Sequence, residues 1–263
     1  MNINIVRIRN VLLLDSLRAI DEIIWQKNFS IGVFKGAGMI IKGIYSIDER
    51  EMSDIDILVD EKDLGCFIDE IENIGFKKIK DGRNSYYKDI GEKFAPLIFD
   101  VHTYFSNINF SDFEFETVKE FKAIKVLTDE WLLITTAVHG IIKHGCFGQR
   151  DKSDFLKILN YAKIKDGFLI DKVMEKANKN KLGLILKTAF KVSGIEIQST
   201  QKSLKEMLSF PFIWLSFKKH FTFNEYILPF FYDTRKVEDF INCRVGFKRL
   251  ISIIARIITN REN

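Results

Sequence analysis

The chain has 263 residues, room for one large domain or two modest ones. Hydrophobic residues make up 46% and charged residues 29%, which excludes an intrinsically disordered chain. The formal net charge of +4 is too small an excess for a dedicated nucleic-acid binder, yet it is compatible with a phosphate-rich small substrate.

Residues from about 5 to 27 carry helical spacing. Leu13, Leu17, Ile20 and Ile24 line one stripe, with Asp15, Arg18 and Glu22 off it. Ser30 to Phe34 reads as a short buried strand, followed by Gly36-Ala37-Gly38 and a helix over 39–45 that Gly43 weakens. Ile55, Ile57 and Val59 alternate with Asp54, Asp56 and Leu58, the period of a strand. Residues 63–74 predict a helix that Gly75 stops. Residues 76–79 and 85–88 pair as a hairpin around Asp81-Gly82. Residues 97–104 form another strand, and 123–127 a short last one.

The character changes at Thr128-Asp129-Glu130, a hydroxyl cap followed by acids in a first helical turn. From there the helices expected are 129–144, 153–163, 168–179, 182–193 and 201–209. The boundary therefore falls between an α/β domain at 1–127 and a helical domain at 128–263. Cys66, Cys146 and Cys243 are odd in number, far apart and without zinc-type spacing, so a reducing cytoplasm is expected rather than disulfides. No secretory signal is visible, since the first apolar stretch, Val11 to Leu14, runs straight into Asp15 and Arg18. No apolar run reaches the length of about 18 residues expected of a membrane-spanning helix.

Chemistry concentrates in three segments: Phe34 to Gly38, Arg50 to Val59, and Phe99 to His102. Asp54 and Asp56 are two apart on a strand and so share a face. Carboxylates so close repel unless a cation lies between them. Mg²⁺ takes oxygen ligands, usually one or two carboxylates plus substrate phosphates. If the strand of Asp100 neighbours the first, a third carboxylate joins. Three acids can then hold two metals about 3.5–4 Å apart for in-line displacement at phosphorus. Asp100 is the natural acceptor of the nucleophile's proton. Gly36 and Gly38 let backbone N–H groups approach phosphate, and Lys35 and Arg50 add positive charge to the triphosphate. Taken singly, each element also has a plain structural reading: solvated carboxylates, a turn, a surface lysine, or Arg50 paired with Glu49 or Asp54.

In order and spacing the set resembles the uncharacterised nucleotidyltransferase family of the polymerase-β-like superfamily. The residues that carry the resemblance are Lys35-Gly36, Tyr45, Arg50, Ser53-Asp54-Ile55-Asp56-Ile57-Leu58-Val59 and Phe99-Asp100-Val101-His102. Thr128-Asp129-Glu130, the helix with His139 and His144, and Asp154 fit the helical half. The resemblance implies an α+β fold, a mixed sheet flanked by helices and followed by a mostly helical half. It implies an NTP donor, ATP first, with Mg²⁺ or Mn²⁺. It implies that Asp54, Asp56 and Asp100 are the catalytic and metal-binding residues. The nucleotide would meet Lys35, Gly36, Ala37, Gly38, Arg50, Ser53 and His102. The wider superfamily has Gly-Ser or Gly-Gly before its paired acids; Ala37 follows Gly36 here and offers no hydroxyl.

The resemblance names no acceptor, which could be a small molecule or a protein. Two other readings stay open: an inactive nucleotide- or partner-binding protein on the same fold, and a toxin-like enzyme that modifies RNA. His102 shares the face of Asp100, either to touch the nucleotide or to hold the site together. His139 and His144 are five apart, about 140° around a helix, which is not a zinc pair. Packing suits them better than ligation. The stretch from Arg244 to Arg261 is basic and amphipathic, read as a terminal helix docked on its own domain before a membrane-surface or partner contact. Trp25, Trp131 and Trp214 are read as core or interface residues.

Overall fold

The first helix follows from its own apolar stripe. In the computed structural model, α1 (Ile3–Lys27) buries Leu13, Leu17, Ile20 and Ile24. It ends at Asn28, whose φ of 56° is a left-handed cap, with Phe29 N–H donating to Ile24 O at 3.2 Å. The structure describes residues 3–80, 84–91, 94–106, 108–143, 147–164, 170–180 and 182–197. The predicted helices at 201–209 and 244–261, the hairpin turn at Asp81-Gly82, His144, Cys146, Trp214 and Cys243 lie outside them. Two compact units divide the described chain. One is drawn from Met1–Thr135 with Lys157–Lys165, the other from Thr136–Leu156 with Asp166–Asn263. The expected boundary at 127 coincides with the end of the last strand, whereas the units divide inside helices.

The first unit is built on a seven-stranded mixed sheet. Its strands are β1 (Ile31–Phe34), β2 (Ile55–Val59), β3 (Lys77–Lys78), β4 (Ser85–Lys88), β5 (Leu97–His102), β8 (Phe115–Thr117) and β9 (Lys125–Leu127). The order across the sheet is β3-β4-β5-β2-β1-β9-β8. β2 runs parallel to β5 and β1 parallel to β9; the remaining neighbours are antiparallel. β6 (Tyr104–Phe105) and β7 (Ile108–Asn109) form a separate hairpin. The expected strand at 97–104 thus breaks after His102. β2 is buried along its whole length, as a central strand with both faces covered should be. Gly32 belongs to packing: a Cβ there would lie 1.9 Å from Phe115 Cε1.

Helices α1 and α2 (Lys35–Ile41) pack on the sheet, and α3 (Leu64–Asn73) packs on α1. α2 starts earlier than the 39–45 expected, because β1 turns into helix with no intervening loop. It ends before Gly43, whose φ of 74° breaks it. The buried Lys42 ties α2 to the far strands. It donates to Leu127 O at 3.2 Å and pairs with Glu116 and Asp129, partners that a buried ammonium requires. Asp21 of α1 accepts from the N–H groups of Lys122, Ala123 and Ile124 at 2.7–2.9 Å and fixes the approach to β9.

α4 (Asp129–Val138) continues as a π-helical turn, His139–Lys143, and α5 spans Gln149–Ile164. In the second unit, α6 (Ile170–Lys179) buries Val173, Met174 and Ala177 and packs on α7 (Gly183–Val192). Phe155 of α5 meets Phe190 of α7 edge-on at 5.0 Å. Gly140 lets the π turn lie close to Phe147, whose ring would be 2.7 Å from a Cβ. Among the described residues no helix is long and apolar enough to cross a membrane.

Candidate functional site

Three adjacent strands align the acids. Asp56 of β2 stands in register with Phe34 of β1 on one side and Asp100 of β5 on the other, and Leu58 with His102. Registered neighbours project to one face, with strands about 4.8 Å apart. β5 shows which face is open: Leu97, Phe99 and Val101 are buried, while Asp100 and His102 are half-buried. Asp56, Asp100 and His102 each offer a ligand atom, all within 4.8 Å of one another. His102 thus joins Asp56 and Asp100 in a donor set among the described residues. Asp54 precedes β2 and stays within electrostatic reach of both other acids.

The two acids of the Asp-x-Asp pair have opposite electrostatics. Asp56 is 5% exposed, and that burial pushes its carboxyl up. Lys35 Nζ at 2.5 Å and His102 Nε2 at 3.1 Å from Oδ1 outweigh it and hold Asp56 well below the usual carboxylate range. Burial raises Asp54, the charge of Asp56 adds to it, and Asp100 adds less; a 3.0 Å hydrogen bond from Ser53 Oγ opposes them. A site in which ionising one carboxylate burdens its neighbour suits a divalent cation. Its oxygen donors suit Mg²⁺ or Mn²⁺ with phosphates completing the shell. The imidazole bonded to Asp56 is the kind of partner that orients a ligating carboxylate.

Lys35 is the first residue of α2, with a φ of 52° that non-glycine residues rarely adopt. That backbone turn carries its ammonium back over Phe34 and Phe105, 5.2 and 5.6 Å from the ring centres, and onto Asp56. Gly36 makes room for Arg50: a Cβ would lie 2.0 Å from Nη1. Ala37 is buried. Gly38 serves the core, since a Cβ would be 3.2 Å from Val126 Cγ1 and 3.3 Å from Val33 O. Lys35 therefore reaches the acids, Gly36 adjoins Arg50, and Ala37 and Gly38 are packed into the core.

Two residues of α1 that the sequence did not single out hold the loop leading to Asp54. Asn10, fully buried, donates to Ile47 O at 2.6 Å and Arg50 O at 2.8 Å and accepts from Met52 N–H at 3.1 Å. Arg9 donates to Met52 O and Ser53 O, each at 2.8 Å. The available signal was Asn10 itself, one turn before Leu13 on an otherwise apolar stripe. His139 lies in the π turn that follows α4 and is not a member of this donor set.

The family described as uncharacterised nucleotidyltransferase matches residues 2–193. Among solved structures, the chain is similar to an antigenic nucleotidyltransferase-like protein from Paracoccidioides brasiliensis. Identity is 15% and the TM-score 0.42, over 66% of this chain and 93% of that one, a likeness too slight to bear on the site. No curated protein matches the sequence significantly.

Proposed function

The chain belongs to the uncharacterised nucleotidyltransferase family, and from that premise we propose that it transfers a nucleoside monophosphate from an NTP to a small-molecule or protein acceptor. Support comes chiefly from one observation: Asp56 and Asp100 sit in register on adjacent parallel strands, with Asp54 in electrostatic contact with both. ATP is the first candidate donor and Mg²⁺ or Mn²⁺ the cofactor. Two such ions, when bound, would lower the pKa of the acceptor hydroxyl and neutralise the triphosphate.

Asp54, Asp56 and Asp100 would supply the ligand oxygens, and Asp100 takes the hydroxyl proton. The acceptor oxygen then bonds the α-phosphorus, the bond from that phosphorus to the bridging oxygen breaks, and pyrophosphate leaves. Lys35 and Arg50 bind the phosphates, and Gly36 keeps Arg50 close to the start of α2. Ser53 orients Asp54 and His102 orients Asp56. A cytoplasmic location belongs to this reading and accords with the free, exposed Cys66.

The test is pyrophosphate release from each NTP with Mg²⁺ in cell extract, followed by transfer of labelled nucleotide to the acceptor. Release by the wild type and its loss in Asp100→Asn are expected. Nucleotide binding with no release in any extract would favour the binding protein. RNA binding that falls steeply with salt would favour the RNA-modifying enzyme.

A further inference from the structure

Asp56 Oδ1 already receives a cation. Lys35 Nζ lies 2.5 Å from it, within an ion pair whose side chains are 13% and 6% exposed, and His102 Nε2 approaches the same oxygen at 3.1 Å. Phe34 and Phe105 flank the ammonium. A divalent ion ligated by Asp56 would bring like charge against this ammonium, about 2 Å from the oxygen they share. Lysine is a compact charge on a flexible stem, so it can leave the carboxylate with no backbone movement. What it needs is another anion to go to.

We infer that Lys35 is a displaceable counter-ion: it holds Asp56 until an NTP triphosphate draws the ammonium away, so that the divalent cation and the nucleotide bind co-operatively. The inference rests on the nucleotidyltransferase reading and adds an order to it. Metal alone competes with Lys35 and binds weakly. Nucleotide alone meets three carboxylates, with Lys35 still paired to one of them and Arg50 the remaining cation. Together they exchange partners, with Lys35 passing to phosphate and Asp56 to metal. Linkage makes the effect reciprocal, each ligand strengthening the other by one factor.

Calorimetry tests this on the full chain, with Mn²⁺ titrated alone and with saturating α,β-methylene-ATP. For the wild type, the analogue should tighten Mn²⁺ binding by about tenfold or more. In Lys35→Met, Mn²⁺ alone should bind about tenfold more tightly than in the wild type, and the gain from the analogue should shrink to what direct ligation of the metal by phosphate supplies. Lys35→Arg, which keeps a cation, should keep part of the coupling. Equal Mn²⁺ affinity in the wild type with and without the analogue overturns the inference, whether or not Lys35→Met folds. So does Lys35→Met with unchanged Mn²⁺ affinity and intact coupling. If no Mn²⁺ and no analogue bind to the wild type at all, the transferase reading itself fails, an outcome distinct from uncoupled binding.

Discussion

Asp54 and Asp56 have the same side chain and opposite effects on the fold. The carboxyl of Asp56 is held below its ordinary value by Lys35 and His102 despite burial. Its stabilising contribution is therefore present above the ordinary carboxylate pKa of about 3.9 and is lost as pH falls through the lower folded value. Asp56→Asn removes the anion that Lys35 and His102 share and should cost about 1.5–3 kcal/mol in urea unfolding, since the flexible lysine can turn to solvent. Asp54 is raised, chiefly by burial and then by Asp56. A raised carboxyl contributes its stability below the unfolded pKa and loses it as pH rises through the folded one. Asp54→Asn should therefore raise the melting temperature of the metal-free protein at pH 7, and the gain should fade below about pH 4. Thermal melts across that range check both the sign and the window. The pairing of these acids was legible because two carboxylates stand two apart at the start of an apolar strand. Their divergent shifts were not, because Lys35 reaches Asp56 only through the register of β1 on β2.

Gly36 and Gly38 lie in one short helix, and tertiary neighbours, not turn geometry, require them. The sequence suggested a turn and a later helix, since local propensity alone counts against glycine in a helix. What decides is Arg50 over Gly36 and Val126 against Gly38. Gly36→Ala displaces the end of a flexible side chain, so the fold should survive. Nucleotide affinity should fall about 10- to 100-fold, the worth of a charge-assisted hydrogen bond. In an Arg50→Ala background the same change should do almost nothing further, and a double-mutant cycle reads that coupling. Asn10 acts on the loop at 47–52. Asn10→Ala orphans polar backbone groups at Ile47, Arg50 and Met52 and should cost about 3 kcal/mol. Mn²⁺ affinity should fall with it, as Asp54 loses its support.

Across the whole molecule, the long periodic stretches were legible, and the short β3 and β9 fell within expected strands. α1, α3, α6 and α7 follow from their apolar stripes, because many residues repeat one pattern. β6, β7 and β8 have two or three residues each and carry no period to read. The placing of β5 beside β2 is a long-range choice that spacing cannot make. The motif order around Asp54, Asp56 and Asp100 suggested it only through resemblance to a family. The π turn after α4 was equally invisible, for nothing in the spacing of its residues marks it. Everything functional depends on that one three-strand alignment. The most direct test is electron paramagnetic resonance of Mn²⁺ with α,β-methylene-ATP, comparing the wild type with Asp100→Asn. Bound Mn²⁺ in the wild type, and its loss in a variant whose unfolding transition is unchanged, is the predicted result. Equal Mn²⁺ binding by the two proteins would contradict the account.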